Sequence, residues 1–195
     1  MPHSQLSFFT ADAHAASPDD LEGLLCGPGQ VVRRGDRARV SVIVSADWRV
    51  EVLSGAFEGL GLGGDTAPAA GGGVSVRTCF AEPLLALADR WSARGGKTAP
   101  AGLVLDGARL RWWSLAAGSA APGRYILGLG AQDEQVWGPV GAALAGAGLP
   151  ATFLGPRADG PAYRLTGQRR LERLRELVGE PPDGVPASGW PGDDR

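Results

Sequence analysis

Residues 17–29 read SPDDLEGLLCGPG, and this stretch predicts a short helix with well-defined ends. Ser17 is a favoured N-cap and Pro18 suits the first helical position, while the Gly-Pro-Gly at 27–29 ends the helix. Gly23 and Gly27 lie four residues apart, so a second helix can approach their side closely. The apolar face of the helix is formed by Leu21, Leu24 and Leu25. We therefore expect a short helix that packs tightly against another.

The second half of the chain repeats the apolar pattern of the first half at a spacing of 87 residues. Such a register indicates a duplicated fold, because each position is constrained by the face that it occupies. Two copies are too few for a solenoid and predict a pseudo-twofold pair packed on itself. Matching positions include Val40 and Leu127, Val42 and Leu129, Leu53 and Val140, Phe57 and Leu144, Gly61 and Gly148, Val76 and Tyr163, and Leu84 and Leu171.

The predicted fold class is α+β, with tandem repeats of the element order α-β-β-α-β-β-α. The first repeat is expected over residues 18–91 and the second over residues 102–180, joined by a linker at 92–101. Residues 1–17 lack periodicity and are expected to form a flexible N-terminal arm. Residues 181–195 are rich in proline, glycine and acids, so we expect a disordered tail there.

Composition narrows the classes of protein that fit. The chain has 195 residues, a formal net charge of −2 and a pI near 5.7, which argues against a protein that coats nucleic acid. Cys26 and Cys79 are too few for a disulfide framework, and with two histidines no zinc spacing is present. We expect a cytoplasmic protein with no cofactor, no membrane partner and no small-molecule substrate.

Two segments of the sequence, residues 21–29 and 110–119, resemble a known family. Leu21–Gly29 is similar to the motif LAGLIDADG at its leucines, its first glycine and its last glycine. Residues 110–119 look closer to the corresponding helix of WhiA-type sporulation and cell-division regulators. The N-terminal domain of those regulators is a LAGLIDADG-like pseudodimer without nuclease activity, and a helix-turn-helix follows it at the point where this sequence ends. The resemblance spans residues 18–180 and implies a pseudodimer whose two sheets form a concave, DNA-binding saddle.

Homing endonucleases of this family place one acid at the end of each LAGLIDADG helix, where two carboxylates hold Mg²⁺. The aligned positions here are Pro28 and Ala117. Neither side chain can ligate a hard cation, so we expect no catalytic residues, no metal site and no nuclease activity. The nearby acids Glu22 and Asp36 are interpreted as helix surface and turn.

Arginines on strands are the candidate DNA-binding residues. If Val76 and Thr78 face the helices, the alternation of a strand turns Arg77 outward, and Arg164 follows 87 residues later in the same phase. Such a symmetric pair suits phosphate contacts. The alternative is that exposed strand arginines only keep the sheets soluble. The candidates are Arg33, Arg39, Arg77, Arg124 and Arg164.

The N-terminal arm contains a second candidate site. Its peptide resembles the Gln-Leu-[Ser/Asp]-Leu-Phe motif with which bacterial polymerases and repair factors bind the sliding clamp. The alternative is that the aromatic residues of the arm pack on the core of the protein itself. The residues of the candidate clamp-binding site are Gln5, Leu6, Ser7, Phe8 and Phe9.

Three classes of function remain open from the sequence. The leading one is a non-catalytic DNA-binding or DNA-associated accessory or regulatory protein, nucleoid-associated and recruited to the sliding clamp by its arm. The second is an interaction scaffold that binds no DNA. The third is a metal-dependent nuclease whose acids have moved to other positions.

Overall fold

The computed structural model describes residues 15–93, 96–157 and 160–192. Its helices are α1 (Glu22–Cys26), α2 (Asp47–Gly59), α3 (Leu85–Trp91), α4 (Gly107–Ala117), α5 (Glu134–Gly146) and α6 (Gln168–Val178). Its strands are β1 (Gln30–Arg34), β2 (Arg37–Val44), β3 (Asp65–Pro68), β4 (Val74–Arg77), β5 (Ser92–Ala93), β6 (Gly96–Lys97), β7 (Gly118–Ala121), β8 (Arg124–Gly128), β9 (Thr152–Leu154) and β10 (Ala162–Thr166). Short 3-10 turns precede α1 and α3 at Pro18–Leu21 and Glu82–Leu84, and a third lies at Ala187–Gly189. Within the described ranges, every helix is too short or too polar to cross a lipid bilayer.

The two halves have the same topology. Each forms a four-stranded antiparallel sheet, with the order β1-β2-β4-β3 in the first half and β7-β8-β10-β9 in the second. The helices α2 and α5 both span 13 residues, and their first residues, Asp47 and Glu134, are 134 − 47 = 87 positions apart. The predicted α+β duplication is therefore confirmed, and its register is kept from element to element.

Alternation along the strands buries one side of each sheet. In β2, Ala38, Val40 and Val42 are buried while the residues between them are not. In β8, Tyr125 and Leu127 are buried in the same way. The buried side of each sheet packs against helices, which leaves its other side uncovered by them.

The two repeats meet where α1 packs against α4. A Cβ atom on Gly23 would lie 1.9 Å from the carbonyl oxygen of Arg109, so only glycine permits this approach. A Cβ on Gly27 would lie 2.7 Å from the ring of Trp113. The close helix contact inferred from the two glycines is thus confirmed. Ser17 and Asp20 form the capping box that opens this segment.

Glu22 was expected on the helix surface, but the structure buries it. Its carboxylate is buried and accepts hydrogen bonds from Trp91 Nε1 at 2.8 Å and from Arg109 Nε at 2.6 Å. Both donors belong to elements far away in the chain, so no local pattern marks them. Asp36 lies in the exposed β1–β2 turn, as expected.

The segment after α6 also differs from the expectation of a disordered tail. Trp190 is buried, and its Nε1 donates to the Gly179 carbonyl at 2.9 Å. The hydroxyl of Tyr125 donates to the Gly189 carbonyl at 3.1 Å, which ties this segment to β8. The burial of Trp190 and these two hydrogen bonds hold against the fold a stretch whose composition alone favours disorder.

Candidate functional site

On each sheet the side chains that point away from the helices form one face, and these two faces are here together called the open face. Strand geometry places them there, since neighbours along a strand point to opposite sides. Its basic residues on the described strands are all arginines, and Asp65 is the one acid on those strands. In the first repeat the open face includes Gln30, Val32, Arg34, Arg37, Arg39, Ser41, Ile43, Asp65, Ser75 and Arg77, and in the second it includes Ser119, Ala121, Arg124, Ile126, Thr152, Arg164 and Thr166.

Arg77 and Asp65 lie opposite each other on β4 and β3 and form a bidentate ion pair. Nε of Arg77 donates to Oδ1 of Asp65 at 2.8 Å, and Nη2 donates to Oδ2 at 2.7 Å. The two parallel hydrogen bonds hold the guanidinium in one orientation. They also compensate its charge, so Arg77 attracts a distant anion less than a free arginine would.

Arg164 occupies the same position in β10, 87 residues later, but its surroundings differ. Its neighbours across the sheet are Ile126 and Thr152, so threonine stands where the first repeat has Asp65. In the described part of the chain no carboxylate pairs with Arg164, and its buried Nε has no hydrogen-bond partner. The two arginines inferred from the sequence therefore lie at equivalent positions, but an acid compensates the charge of Arg77 alone.

Two further arginines share one aromatic ring at the edge of the first sheet. The guanidinium carbon of Arg34 lies 4.8 Å from the centroid of the Phe80 ring, and that of Arg39 lies 4.6 Å from it. Cation–π contacts of this kind position the side chains without cancelling their charge. The two positive groups are thereby held close together on the open face.

The remaining two candidates differ in where they point. Arg124 begins β8 and is exposed on the open face, opposite Ala121 and Thr166. Arg33 lies on the other side of its sheet, because its neighbour across the ladder is the buried Ala38. Its Nη1 contacts Asp89 Oδ1 at 2.5 Å. Arg33 therefore leaves the candidate set, since the alternation along β1 turns it toward α3.

The C-terminal end of α1 is capped by a buried cation that the sequence analysis did not identify. Lys97 Nζ donates to the carbonyls of Gly27 and Gly29 at 2.7 and 2.8 Å, and to Asp133 Oδ2 at 2.8 Å. Burial lowers the pKa of Lys97, and the hydrogen bond to Asp133 partly opposes that shift. Gln30 also donates to Asp133, so the carboxylate is shared between an amine and an amide.

The end of α4 is capped in the same way by Arg49 of α2. Its guanidinium donates to the carbonyls of Ser114, Leu115 and Gly118. Burial lowers the pKa of Arg49 as well. Both helix ends at the centre of the molecule therefore carry a positive group, which matches the negative end of each helix dipole. One sequence feature could have drawn attention to Lys97: it is the single lysine among 19 lysine and arginine residues.

The positions expected to carry metal-binding acids hold none. Pro28 follows α1, and Ala117 is the last residue of α4. The register of 87 residues that relates the strands places Leu115, not Ala117, at the equivalent of Pro28 (28 + 87 = 115). None of these three side chains has an oxygen atom, so neither Ala117 nor Leu115 could pair with position 28 to hold a metal ion. The candidate clamp-binding residues Gln5–Phe9 lie outside the described part of the chain.

Comparison with solved structures identifies the fold. The homing endonuclease I-WcaI bound to its DNA recognition sequence superposes with a TM-score of 0.61 and 14% identity, covering 90% of this chain and 83% of the other. The N-terminal LAGLIDADG domain of DUF199/WhiA superposes with a TM-score of 0.54 and 12% identity, covering 84% and 82%. No family model matches the sequence, and no curated protein matches it. The resemblance drawn from residues 18–180 is thus confirmed at the level of the fold.

Proposed function

Because the chain has the LAGLIDADG fold, we propose that it binds duplex DNA across its open face and does not cleave it. It acts as a DNA-associated accessory or regulatory protein, and it is located with the DNA of its cell. One neighbour of the same fold is a protein bound to DNA, which makes a nucleic acid the first partner to test.

The observation that carries the proposal is the charge of the open face. The chain as a whole is acidic, with a net charge of −2, yet the strands that the structure describes contribute one acid, Asp65, to this face. Arginine suits phosphate oxygens because its planar fork donates two parallel hydrogen bonds. The basic residues of the open face are Arg34, Arg37, Arg39, Arg77, Arg124 and Arg164.

The lack of cleavage is supported by the charge at the two helix ends. Metal-dependent strand cleavage needs carboxylates there to hold Mg²⁺. In this protein Lys97 and Arg49 donate to the carbonyls at those ends. The charge of Arg49 disfavours a divalent metal ion at the end of α4, whereas Asp133 offsets the charge of Lys97 at the end of α1. Acids are also missing at Pro28 and Ala117.

Binding is tested with a fluorescent duplex whose anisotropy is measured over a series of salt concentrations. We expect the Arg124→Ala/Arg164→Ala variant to bind all sequences more weakly, with a slope of log K against log salt that is smaller by roughly 1.8. The matched control is Arg169→Ala/Arg173→Ala, which removes the same charge from α6, away from the open face. Equal effects of the two variants, or no binding by the wild type, would contradict the proposal and favour a scaffold without DNA.

Cleavage is tested separately with supercoiled plasmid and Mg²⁺ or Mn²⁺. We expect the plasmid to remain supercoiled at protein concentrations that saturate it. Metal-dependent nicking that survives repurification would show that acids elsewhere in the chain form a nuclease site.

Recruitment to the sliding clamp is the part of the proposal that rests on sequence alone. The peptide Gln5–Phe9 offers an amide for hydrogen bonds and three apolar side chains for a pocket. Capture of the purified clamp by the wild type and its loss in a Gln5→Ala/Phe8→Ala/Phe9→Ala variant would support it. Equal capture by the two proteins would remove the arm from the proposal.

A further inference from the structure

We infer that Arg77 reads a guanine base, whereas Arg164 contacts the phosphate backbone. The inference rests on the proposed function, because it assigns different roles to two residues of the same DNA-binding face. It follows from one difference between the repeats, namely that Asp65 binds Arg77 and that Thr152 takes the place of Asp65 beside Arg164.

The geometry of the Arg77–Asp65 pair leaves one edge of the guanidinium free. Five N–H groups are available on an arginine, and Asp65 accepts from Nε and from one hydrogen of Nη2. The outer edge formed by Nη1 and the other Nη2 hydrogen has no partner in these two bonds. That edge presents two parallel donors, which match the N7 and O6 acceptors of guanine in the major groove.

The ion pair also changes what Arg77 contributes electrostatically. A phosphate is recognised chiefly by uncompensated positive charge, and contacts of that kind appear in the salt dependence of binding. Asp65 lies within hydrogen-bond distance of Arg77 and offsets its charge, so Arg77 adds little to that attraction. What remains is a directional pair of donors held in place, which is the property that base recognition requires.

The surroundings of Arg77 have the chemistry of a base-reading surface. Ser41 lies beside it on β2, and Ser75 lies two residues earlier on the same side of β4. Ile43 is 56% exposed on that side, opposite Ser75. Hydroxyl groups can donate to or accept from base edges, and an exposed aliphatic group can contact the methyl group of thymine.

Arg164 has the opposite properties. No acid compensates its charge within the described residues, and no hydrogen bond fixes its Nε. A positive group without a compensating acid suits a phosphate, whose position varies little with sequence. The two equivalent positions therefore separate specificity from general affinity.

The inference is tested on a duplex selected from a random library with the wild-type protein. Each G·C pair of the selected site is then replaced in turn, and the dissociation constant is measured by anisotropy at several salt concentrations. We expect Arg77→Ala to lose roughly 10- to 100-fold discrimination at one guanine, with nearly the wild-type salt slope. Arg164→Ala, the matched variant, is expected to weaken binding to every duplex by a similar factor and to reduce the slope by about 0.9.

Two further variants keep the test decisive if Arg77→Ala folds poorly. Arg77→Lys retains the charge but lacks the planar fork, so it should also lose the guanine preference. Asp65→Asn removes the compensating charge, so it should bind all duplexes more tightly while discriminating less. Uniform weakening by Arg77→Ala, or a selected site without a required guanine, would overturn the inference and leave DNA binding intact. Failure of the wild type to bind any duplex would overturn both proposals.

Discussion

Glu22 and Arg109 are equivalent residues of the two repeats, 87 positions apart, and they form an ion pair with each other at 2.6 Å. A residue that meets its own counterpart lies close to the axis relating the two repeats. Identical charges there would repel, so the duplicated position has diverged into a carboxylate and a guanidinium. Asp106 also accepts from Arg109, and its charge, together with that of Glu22, raises the Arg109 pKa against the opposing effect of burial.

Arg109→Ala should lower the free energy of unfolding by about 3 kcal/mol, because it takes from the buried carboxylate of Glu22 the closer of its two ion-pair partners. Urea denaturation measures the change. Adding Glu22→Gln to Arg109→Ala should recover part of the loss, since the side chain at position 22 is then neutral. Arg90→Ala is the control, because Arg90 is more exposed and lies 3.7 Å from Glu22. A loss as small for Arg109→Ala as for Arg90→Ala would contradict the central role of the pair.

Gly23→Ala should be strongly destabilising, because its new methyl group would overlap the Arg109 carbonyl unless the two helices separate. We expect a loss of about 3 kcal/mol or more, in the range of core overpacking and lost packing. Gly55→Ala in α2 is the matched control. No atom lies within 4 Å of the position of its Cβ, so alanine there should add about 0.5–1 kcal/mol through helix propensity. Calorimetric melting of both variants tests the close contact of α1 with α4.

Trp190→Ala should lower the free energy of unfolding by about 3 kcal/mol, because it empties a filled site in the core. Trp190→Phe keeps the apolar ring and loses the hydrogen bond to Gly179, which is expected to cost about 1 kcal/mol. The same denaturation assay applies to a chain that ends at residue 180. If that shorter chain were as stable as the full one, the packing of the C-terminal segment would be of no consequence.

The stability of the protein should fall as the pH rises above the ordinary thiol value of 9.0, because burial raises the pKa of Cys26. Above that value the thiol ionises in the unfolded chain but not in the folded one, so the unfolded chain binds fewer protons. The protonated thiol of Cys26 contributes fully to the free energy of unfolding below pH 9. Above pH 9 this contribution declines by about 1.4 kcal/mol per pH unit.

Urea denaturation at pH 7, 8, 9 and 10 measures this slope, and Cys26→Ala should make it shallower. Comparing the variant with the wild type at each pH removes the contribution of Tyr125, whose pKa burial also raises. Parallel curves for the two proteins would show that the Cys26 thiol is not protected from ionisation by the fold.

The duplication could be predicted from the sequence because it depends on repeated local patterns. The sequence alone shows the apolar alternation at Val40 and Val42 and its repetition at Leu127 and Leu129. The phase of Arg77 and Arg164 follows from the same alternation, and both lie on the open face.

What could not be predicted depends on contacts between distant segments. Lys97 stands in a stretch that reads as a linker, and its acceptors are about 70 positions before it and 36 after it. Asp65 looks like an ordinary loop acid until the β3–β4 register places it opposite Arg77. Arg33 lies two residues before the hairpin turn, where the sequence alone gives no clear phase, and the β1–β2 register turns it to the side of the helices.

The cap on α1 has an evolutionary consequence. Lys97 belongs to the connector, a segment that exists only in a fused gene, and it joins Gly27 of the first copy to Asp133 of the second. Arg49 has no twin either, since the corresponding residue is Val136, which is buried. The end of α4 is thus capped from the other repeat, whereas the end of α1 is capped from the connector. The seam between the two repeats is therefore built from unlike parts, and its two caps depend on both repeats lying in one chain.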